Sequence, residues 1–546
     1  MAGEATVEAT LEAAALAAVA RVRRPLAPEV HRALVAQNAA LAASPARDAH
    51  LAALARGAAA VVTGQQMGLF LGPLYTIYKA ASAVAVARAL AATSGTDVVP
   101  VFWLQTEDHD LPEIASCGVP GRAACEALAV PADAASRVSV AHLPLPAEVA
   151  GCLDALEELL GEGPLARAHL ERLRRHYRPG ARWAGAFAGV LAELFAPEGL
   201  VFVDPRDPAL AAVTAPVHAR AIEHAERIAA ALLAHDRELA QAGRPTPVHV
   251  RPGAPLSFFH PDGAEGPRVR LVPADGAAGG AVGGAADGAA GGPVFAESGG
   301  ERRWDRAALL AALREDPRRC STSALLRPIV QDTLLPTAAY VGGPGEVAYL
   351  AQVPPLYRAF DQTPPVVVPR SRFRLIDARA RRLLDRLGLA PADAERPEPE
   401  LLARLRAARA SGGGGGGGGG PGGAPAGVGA DVTRRLFDPF AAAHAELSAE
   451  LAHAGPAIAK ALARTRASVE RAVSRLAGKV ERAALYEDAA LVDSVRALRA
   501  RLAPGGAPQE RVLGLPGPAA AFGDRALIER VLAAIAPWNP TLQELA

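Results

Sequence analysis

Residues 58–79 read AAAVVTGQQMGLFLGPLYTIYK and carry the clearest indication of the fold class. The apolar run at residues 58–63 predicts a short buried strand, and the glycine-bearing loop 64–72 follows it. A helix is expected from Pro73, because proline is favoured in the first turn of helices. A second apolar strand, residues 98–104, comes after that helix. Strand, helix and strand in this order are typical of a parallel sheet in an α/β fold.

Similar patterns extend along the chain in both directions. Residues 1–56 have helical spacing, and further strands or strand pairs are predicted at 199–203, 246–272, 337–341 and 366–369. Residues 431–502 read as almost continuous helix with an apolar stripe and one break at Gly455-Pro456, which indicates a coiled-coil arm. Residues 508–546 are expected to pack back on the core. Two low-complexity segments, 274–292 and 412–420, are expected to be loops.

Composition narrows the class of protein. The chain has 546 residues, and 58 Lys+Arg against 57 Asp+Glu leave a formal net charge of +1. A near-neutral balance argues against a protein built to bind nucleic acid, which would carry a basic excess. The four cysteines are too scattered for a disulfide framework or a zinc site. No signal peptide or membrane span is predicted, so we expect a cytoplasmic protein without a membrane partner.

The first candidate binding segment consists of the loop and the helix start within residues 64–79. Free N–H groups at a helix N-terminus after a parallel strand attract anions, although the sequence lacks the Walker lysine. Lys79 is one of only three lysines in the chain, which suggests a specific need for an ammonium; the alternative is an ordinary surface residue. The predicted substrate contacts are Gln65, Gln66, Tyr75 and Lys79, and the predicted cofactor contacts are Gly64, Gly68 and Gly72.

The second segment, Glu107-Asp108-His109, directly follows the strand at 98–104. Adjacent acids repel each other, so we expect a cation, an amine or a hydroxyl-rich ligand to balance them there. Glu107, Asp108 and His109 are therefore the predicted catalytic residues, with His109 a candidate base. A metal site and a solvated loop are the alternatives, and no second histidine at metal-ligand spacing supports the metal.

The third segment comprises the region 326–349 and the arginine that ends the next strand. Gly343-x-Gly345 resembles a dinucleotide fingerprint, and Arg370 suits a 2′-phosphate, which leaves an NADP-dependent oxidoreductase as an alternative. The motif is weak because Pro354 and Pro355 would end its helix early. We prefer a turn that presents side chains to a shared cleft, with an arginine that binds a carboxylate or phosphate bidentately. The predicted substrate contacts here are Arg327, Gln331, Tyr340, Glu346, Tyr349 and Arg370.

These segments, in this order, resemble the bacillithiol biosynthesis cysteine-adding enzyme family, the cysteine ligases of that thiol pathway. The resemblance is carried by residues 62–79, 99–110, 327–349, 369–370 and 509–511. It implies a Rossmann-like α/β core akin to class I aminoacyl-tRNA synthetases at 1–380, with insertions at about 120–198 and 245–320. It also implies a helical coiled-coil domain at 381–505 with a disordered Gly-rich loop at 411–429, and a C-terminal segment at 506–546.

The implied reaction joins cysteine to the amine of glucosaminyl-malate, the last step of bacillithiol biosynthesis, in a homodimer formed through the coiled coil. Amide formation from a free carboxylate needs activation, so ATP or ADP is the expected nucleotide, with no tightly bound metal or organic cofactor. Loop 64–79 would hold an anion, and His109 would act on the attacking amine. A non-catalytic coiled-coil scaffold remains as a further alternative.

Overall fold

The computed structural model describes residues 2–274, 293–411 and 428–546. These residues fall into two compact units. The first unit draws on residues 1–119, 126–377 and 510–546, and the second on residues 120–125 and 378–509. Of the loops predicted at 274–292 and 411–429, residues 275–292 and 412–427 lie outside the described residues. At the edges of the second predicted loop, Ser411, Val428 and Gly429 are helical, so the prediction is wrong for these three.

The strands and helices are numbered in chain order. The strands are β1 Ala59–Gln65, β2 Val98–Leu104, β3 Ser116–Pro120, β4 Cys125–Ala129, β5 Val201–Val203, β6 Ser257–Phe259, β7 Val269–Pro273, β8 Val294–Glu297, β9 Arg303–Asp305, β10 Cys320–Thr322, β11 Thr337–Gly342, β12 Val366–Pro369, β13 Arg372–Leu375 and β14 Leu542–Leu545. The helices are α1 Ala2–Val22, α2 Pro28–Ala39, α3 Pro45–Ala55, α4 Tyr75–Ser94, α5 Leu111–Ile114, α6 Val149–Leu160, α7 Pro164–His176, α8 Trp183–Leu194, α9 Pro208–Glu223, α10 Ala225–Gln241, α11 Arg306–Glu315, α12 Arg327–Leu334, α13 Pro344–Leu350, α14 Pro354–Ala359, α15 Ala378–Leu387, α16 Glu398–Ser411, α17 Val428–Glu450, α18 Pro456–Leu485, α19 Ala489–Leu502, α20 Gln509–Val512, α21 Pro516–Phe522 and α22 Asp524–Ala534.

A five-stranded parallel sheet forms the centre of the first unit, in the order β12-β11-β1-β2-β5. The chain adds β2 and β5 on one side of β1 and then returns to place β11 and β12 on the other side. The strand order therefore reverses between β1 and β11. Ligands of open parallel sheets bind at the carboxyl ends of the strands, at such a switch point. The predicted Rossmann-like α/β fold is confirmed.

Both faces of this sheet are covered, which explains why its strands are almost continuously apolar. On one face, Val61 and Val341 pack with Ala83 and Leu90 of α4. On the other face, a larger cluster gathers side chains of α2, α3, α9, α10 and α12 against β1, β2 and β5. The sheet is thus covered on both faces, and its strand ends carry the polar loops.

A second sheet, in which all four strand pairs are antiparallel, lies largely within the insertion predicted at 245–320. Its strand order is β10-β6-β7-β8-β9, and Phe258 of β6 lies opposite Arg270 of β7. Phe259, Leu271 and Phe295 form its apolar core with helix α11. The sheet brings Phe258 and Arg270 close to the strand ends of the central sheet, as described below.

The start of α4 differs from the prediction in its detail. The helix begins at Tyr75, two residues after Pro73, and Phe70 and Leu71 in the preceding turn adopt positive φ angles of 52° and 62°. The Leu74 N–H donates to the carbonyl oxygen of Leu513, 2.8 Å away, in the C-terminal segment. Residues 510–546 thereby belong to the first unit and partner a backbone group at the helix entrance.

The described part of the second unit is largely helical. Helices α17 and α18 form a hairpin that turns at Gly455, as the sequence indicates. A further break separates α18 from α19, where the Asp488 carboxylate accepts a hydrogen bond from the Leu491 N–H, 2.9 Å away. Sequence patterning passed over this break because apolar residues continue on both sides of it. Among the described helices, none combines the length and apolar character that crossing a membrane requires.

Candidate functional site

A pocket of about 840 Å³ opens at the carboxyl ends of the central strands. The ends of β1, β2 and β11 and the segments that follow them, including parts of α4 and α13, supply much of its lining. The predicted site residues that line it are Gly64, Gln65, Gln66, Tyr75, Lys79, Glu107, Asp108, His109, Arg327, Glu346, Tyr349 and Arg370. The fold therefore brings all three polar segments of the sequence to one cavity.

One group of pocket residues, the lysine cluster, comprises Lys79, Arg327, Glu346 and Tyr349. The Lys79 ammonium donates to the Gly64 carbonyl oxygen at 2.6 Å and to Gln65 Oε1 at 2.8 Å, and it forms an ion pair with Glu346. Its side chain is only 3% exposed. All three of its N–H groups therefore have protein partners, so Lys79 joins β1 to α13 across the switch point.

Glu346 is held as a carboxylate by three donors. Its oxygens accept from Lys79, from the Tyr340 hydroxyl at 2.7 Å and from the Gly343 N–H at 2.8 Å. Burial by itself would raise the pKa of Glu346, but the Lys79 ammonium and the other donors outweigh it and lower the pKa. The carboxylate thus occupies the N-terminus of α13, which is only seven residues long. A dinucleotide pyrophosphate would need that position, so the geometry disfavours the NADP alternative.

Arg327 is a buried guanidinium with neutral partners. It donates to Gln331 Oε1 at 2.8 Å and to the Tyr349 hydroxyl at 3.0 Å, and it stacks on the Tyr340 ring, 4.7 Å from the centroid. Arg327 is 2% exposed and forms no ion pair within the described part of the chain. Burying an unpaired charge is costly, and an anionic ligand would offset that cost.

A second group, the histidine cluster, comprises Glu107, Asp108, His109 and Arg268. The Glu107 carboxylate accepts from the backbone N–H of Thr322 at 3.2 Å and also from its hydroxyl. Asp108 Oδ2 accepts from Gln66 Nε2 at 2.6 Å. Burial would raise the pKa of Asp108, but the Arg268 guanidinium and the Gln66 amide overcome this and lower it. Asp108 is therefore ionised at neutral pH.

His109 lies in this cluster as a neutral imidazole. Burial lowers its pKa, and the positive charge of Arg268 lowers it further, against the opposing effect of Asp108. Its Nδ1 atom is buried without a hydrogen-bond partner and lies 3.7 Å from Asp108 Oδ1. The His109 side chain is 30% exposed and lines the pocket, so the neutral imidazole can accept a proton there, as a general base does.

Sequence reasoning missed the arginines that the insertion and the C-terminal segment contribute to the pocket. Arg268 is buried, donates to the carbonyl oxygens of Glu107 and Thr322, and lies 3.8 Å above the centroid of the Phe258 ring. Arg270 and Arg511 also line the pocket. Arginine is so common in this chain that no compositional contrast marks these three, and only the folded insertion brings Arg268 to the strand ends.

Two predicted substrate contacts lie behind the pocket lining. Gln331 and Tyr340 line a small neighbouring cavity of about 30 Å³, not the main pocket. Through Arg327 and Glu346 they orient groups that do reach the main pocket. Direct substrate contact by these two side chains is not what the geometry suggests, because their polar ends are used within the protein.

The predicted cofactor contacts Gly68 and Gly72 also lie away from the pocket lining. A Cβ atom at Gly68 would lie 2.0 Å from the Gly72 carbonyl oxygen, and one at Gly72 would lie 3.2 Å from the Leu69 carbonyl oxygen. Gly64 does line the pocket, yet a Cβ there would be 2.9 Å from the Trp103 carbonyl oxygen on β2. Close packing of the chain on itself thus accounts for all three glycines.

Arg370 meets a carboxylate of the C-terminal segment. Its two terminal nitrogens donate to the two Glu510 oxygens, each at 2.9 Å, and both side chains are buried. A 2′-phosphate would have to displace this pair, which further disfavours the NADP alternative. Arg511, the next residue, is exposed at the pocket and forms no ion pair within the described residues.

Within residues 2–274, 293–411 and 428–546, no group of three or more histidine, cysteine, aspartate or glutamate side chains is arranged to hold a metal ion. His109 has carboxylates nearby, but its orphaned Nδ1 is 3.7 Å from the nearest of them.

Comparison with known proteins gives consistent matches over most of the chain. The family model "Bacillithiol biosynthesis BshC, N-terminal Rossmann-like domain" matches residues 14–371, and "Bacillithiol biosynthesis BshC, C-terminal coiled-coil domain" matches residues 437–543. Both models cover regions in which the structure shows the corresponding architecture, a parallel sheet in the first and long helices in the second.

Individual relatives carry one name, "Putative cysteine ligase BshC". The relative from Koribacter versatilis is 37% identical over 361 residues, which are 66% of this chain and 63% of the relative. That from Salinibacter ruber is 37% identical over 335 residues, 61% of this chain and 57% of the relative. The match to these two thus spans less than two thirds of their length. The relative from Solibacter usitatus is 33% identical over 466 residues, 84% of this chain and 79% of the relative. The chain therefore belongs to the BshC family of bacillithiol biosynthesis.

Proposed function

We propose that this protein is a ligase that adds cysteine to the glucosaminyl-malate amine and so forms bacillithiol. The observation that carries the proposal is one pocket with two chemically different groups of residues at the switch point of a Rossmann-like sheet. Family membership and the relatives' name, cysteine ligase, support the same reaction class. The oxidoreductase alternative has no comparable support. The Gly343 N–H and the Arg370 guanidinium, which would have to bind the dinucleotide phosphates, are already bonded to Glu346 and Glu510.

The pocket chemistry suits an amide-forming reaction between charged substrates. Arg327 offers a buried cation to a carboxylate, and Lys79 and Glu346 keep the neighbouring loops in place. The amine nitrogen would attack the activated carboxyl carbon of cysteine, forming the C–N bond while the bond to the leaving group breaks. His109, neutral at physiological pH, would accept the proton released by the amine.

ATP dependence is part of the proposal. A free carboxylate is a poor electrophile, and ATP would supply the activated leaving group. The two exposed arginines at the pocket, Arg270 and Arg511, fit the charge of a polyphosphate. The loop at 64–72 fits it less well, because its glycines are crowded by protein atoms and the Leu74 N–H is already bonded.

A homodimer formed through the coiled coil also belongs to the proposal. Within the described part of the second unit, Leu436, Leu447, Ile458 and Leu476 are exposed on α17 and α18. A second copy of the same hairpin would cover such apolar side chains. Light scattering coupled to size-exclusion chromatography should report twice the monomer mass of 56.0 kDa.

The test of the proposed function is reconstitution. Purified protein is incubated with cysteine, ATP and glucosaminyl-malate, and bacillithiol is measured by mass spectrometry. Parallel reactions omit ATP, replace cysteine with serine, or contain the His109→Ala variant. Product that requires cysteine and ATP would support the proposal, whereas folded wild-type protein that yields no product would refute it.

A further inference from the structure

Arg268 is an unusual side chain in the pocket. It is 5% exposed, its Nη atoms donate to the carbonyl oxygens of Glu107 and Thr322, and its Nε atom is buried without a partner. No carboxylate forms an ion pair with it within the described residues. Burial lowers its pKa to about 10, so the guanidinium still carries its charge at neutral pH. A buried cation with spare donors at a pocket favours an anionic ligand.

Carboxylates of the same pocket lie near this guanidinium. Asp108 and Glu107 line the same pocket as Arg268, and their negative charges act to raise the pKa of Arg268, although neither forms an ion pair with it. Glu107 Oε2 is bonded to Thr322, whereas its Oε1 has no hydrogen bond to a described residue. Asp108, about 30% exposed, faces the pocket. The histidine cluster thus offers both a cation for a carboxylate and carboxylates for an ammonium.

Phe258 fixes this arrangement in space. The Arg268 guanidinium stacks on its ring, and the His109 ring meets it edge-on with a centroid separation of 6.0 Å. The insertion strand β6 therefore holds the cation and the candidate base on one aromatic platform. A ligand carboxylate on Arg268 would lie close to His109.

The lysine cluster lacks this combination. Its one carboxylate, Glu346, already accepts from Lys79, Tyr340 and Gly343. Arg327 remains as a cation with neutral partners. That cluster therefore suits an anionic group but has no carboxylate to spare for an ammonium.

We propose that the histidine cluster is the α-amino acid subsite, where Arg268 binds the cysteine carboxylate and Asp108 binds its ammonium. The inference rests on the proposed function for the identity of the amino acid. Arg327 then binds the carboxylates of the other substrate, glucosaminyl-malate. This allocation puts the electrophilic carbon of cysteine beside His109, where the attacking amine loses its proton.

The test compares ligands that lack one charged group of cysteine. Calorimetric titration of the full-length protein uses L-cysteine, cysteamine, which lacks the carboxylate, and 3-mercaptopropionate, which lacks the ammonium. Wild-type protein should bind cysteine about 10- to 100-fold more tightly than cysteamine. In Arg268→Gln this preference should fall to less than about threefold, because the carboxylate has lost its partner.

The ratio of the affinities for cysteine and cysteamine distinguishes loss of carboxylate binding from damage to the fold. A structural defect in Arg268→Gln would weaken cysteine and cysteamine alike and leave their ratio unchanged. Arg327→Gln serves as the matched control, since it removes a buried pocket arginine yet should keep the preference for cysteine over cysteamine. Asp108→Asn provides the second variant and should abolish the preference for cysteine over 3-mercaptopropionate.

The outcomes also distinguish this inference from the proposed function. An unchanged ratio in Arg268→Gln, a lost ratio in Arg327→Gln, or no cysteine binding by the wild type would each overturn the subsite. Cysteine binding with the expected ratios but no bacillithiol in the reconstituted reaction would leave the subsite standing and refute the ligase.

Discussion

The two clusters of the pocket use buried charge in opposite ways. In the lysine cluster, Lys79 and Glu346 satisfy each other and their remaining donors and acceptors are bonded to the protein. In the histidine cluster, His109 Nδ1 and Arg268 Nε are both buried and without partners. The first cluster therefore holds the switch point together, with Arg327 as its one exception, whereas the second contains polar groups that the protein itself leaves unpaired.

The largest expected effect comes from breaking the ion pair of the lysine cluster. Lys79→Met leaves the Glu346 carboxylate buried and unpaired, which should lower the free energy of unfolding by about 3–5 kcal/mol. All four tryptophans lie in the first unit, so tryptophan fluorescence during urea unfolding reports on that unit. The double variant with Glu346→Gln should lose less than the sum of the two single changes.

Lys460 provides the matched control for this change. It is an exposed lysine of α18, and Lys460→Met should alter stability by less than about 0.5 kcal/mol. If Lys79→Met changed stability as little as Lys460→Met, the proposed stabilising role of the lysine cluster would be contradicted.

The second prediction addresses the histidine cluster. His109→Ala should reduce kcat at least about 100-fold, because the proton of the attacking amine loses its acceptor. Stability should change little, since the imidazole Nδ1 makes no hydrogen bond that the fold requires. Bacillithiol formation under saturating substrates measures kcat, and urea unfolding checks the fold. A variant that loses stability but keeps turnover would reverse the roles assigned to the two clusters.

The third prediction concerns pH. The pKa of His109 is below its usual value, so its neutral, basic form persists below pH 6.5. The value of kcat/KM should therefore stay flat from neutral pH to below 6.5 and then fall about tenfold per pH unit as the imidazole is protonated. Arg268→Gln removes a neighbouring positive charge and should move this fall to a higher pH. An acid limb that does not move in Arg268→Gln would contradict the electrostatic coupling within the cluster.

The smallest effect is expected at the edge of the lysine cluster. Tyr349→Phe removes one hydrogen bond, 3.0 Å long, from Arg327. The loss should be about 0.5–1.5 kcal/mol in stability, and the KM for glucosaminyl-malate should rise by no more than about tenfold. A larger rise in the KM for cysteine would place the amino acid at Arg327 and not at Arg268.

Much of the fold was predictable because its signals are local. The apolar runs that became β1, β2, β11 and β12, and the helices of the second unit, follow from residue order alone. Two features just before α4 were not predictable, namely the positive φ angles of Phe70 and Leu71 and the hydrogen bond from Leu74 to the distant Leu513 carbonyl oxygen, because the apolar pattern encodes neither. The helix break at Asp488 was not predicted, because a single capping residue leaves the apolar pattern on both sides intact.

The site residues also fall into those that the sequence identified and those that only the tertiary structure revealed. Sequence by itself singled out Lys79 through the scarcity of lysine, and Glu107, Asp108 and His109 through their position after a strand. Which partner each would meet was decided by tertiary structure, because Glu346 and Arg268 come from segments far along the chain. In the folded protein Arg268 lines the pocket. Four residues predicted from the sequence lie away from the lining, namely Gly68, Gly72, Gln331 and Tyr340. The physical reason is that apolar periodicity encodes elements locally, whereas the balance of buried charges depends on contacts that exist only once the chain has folded.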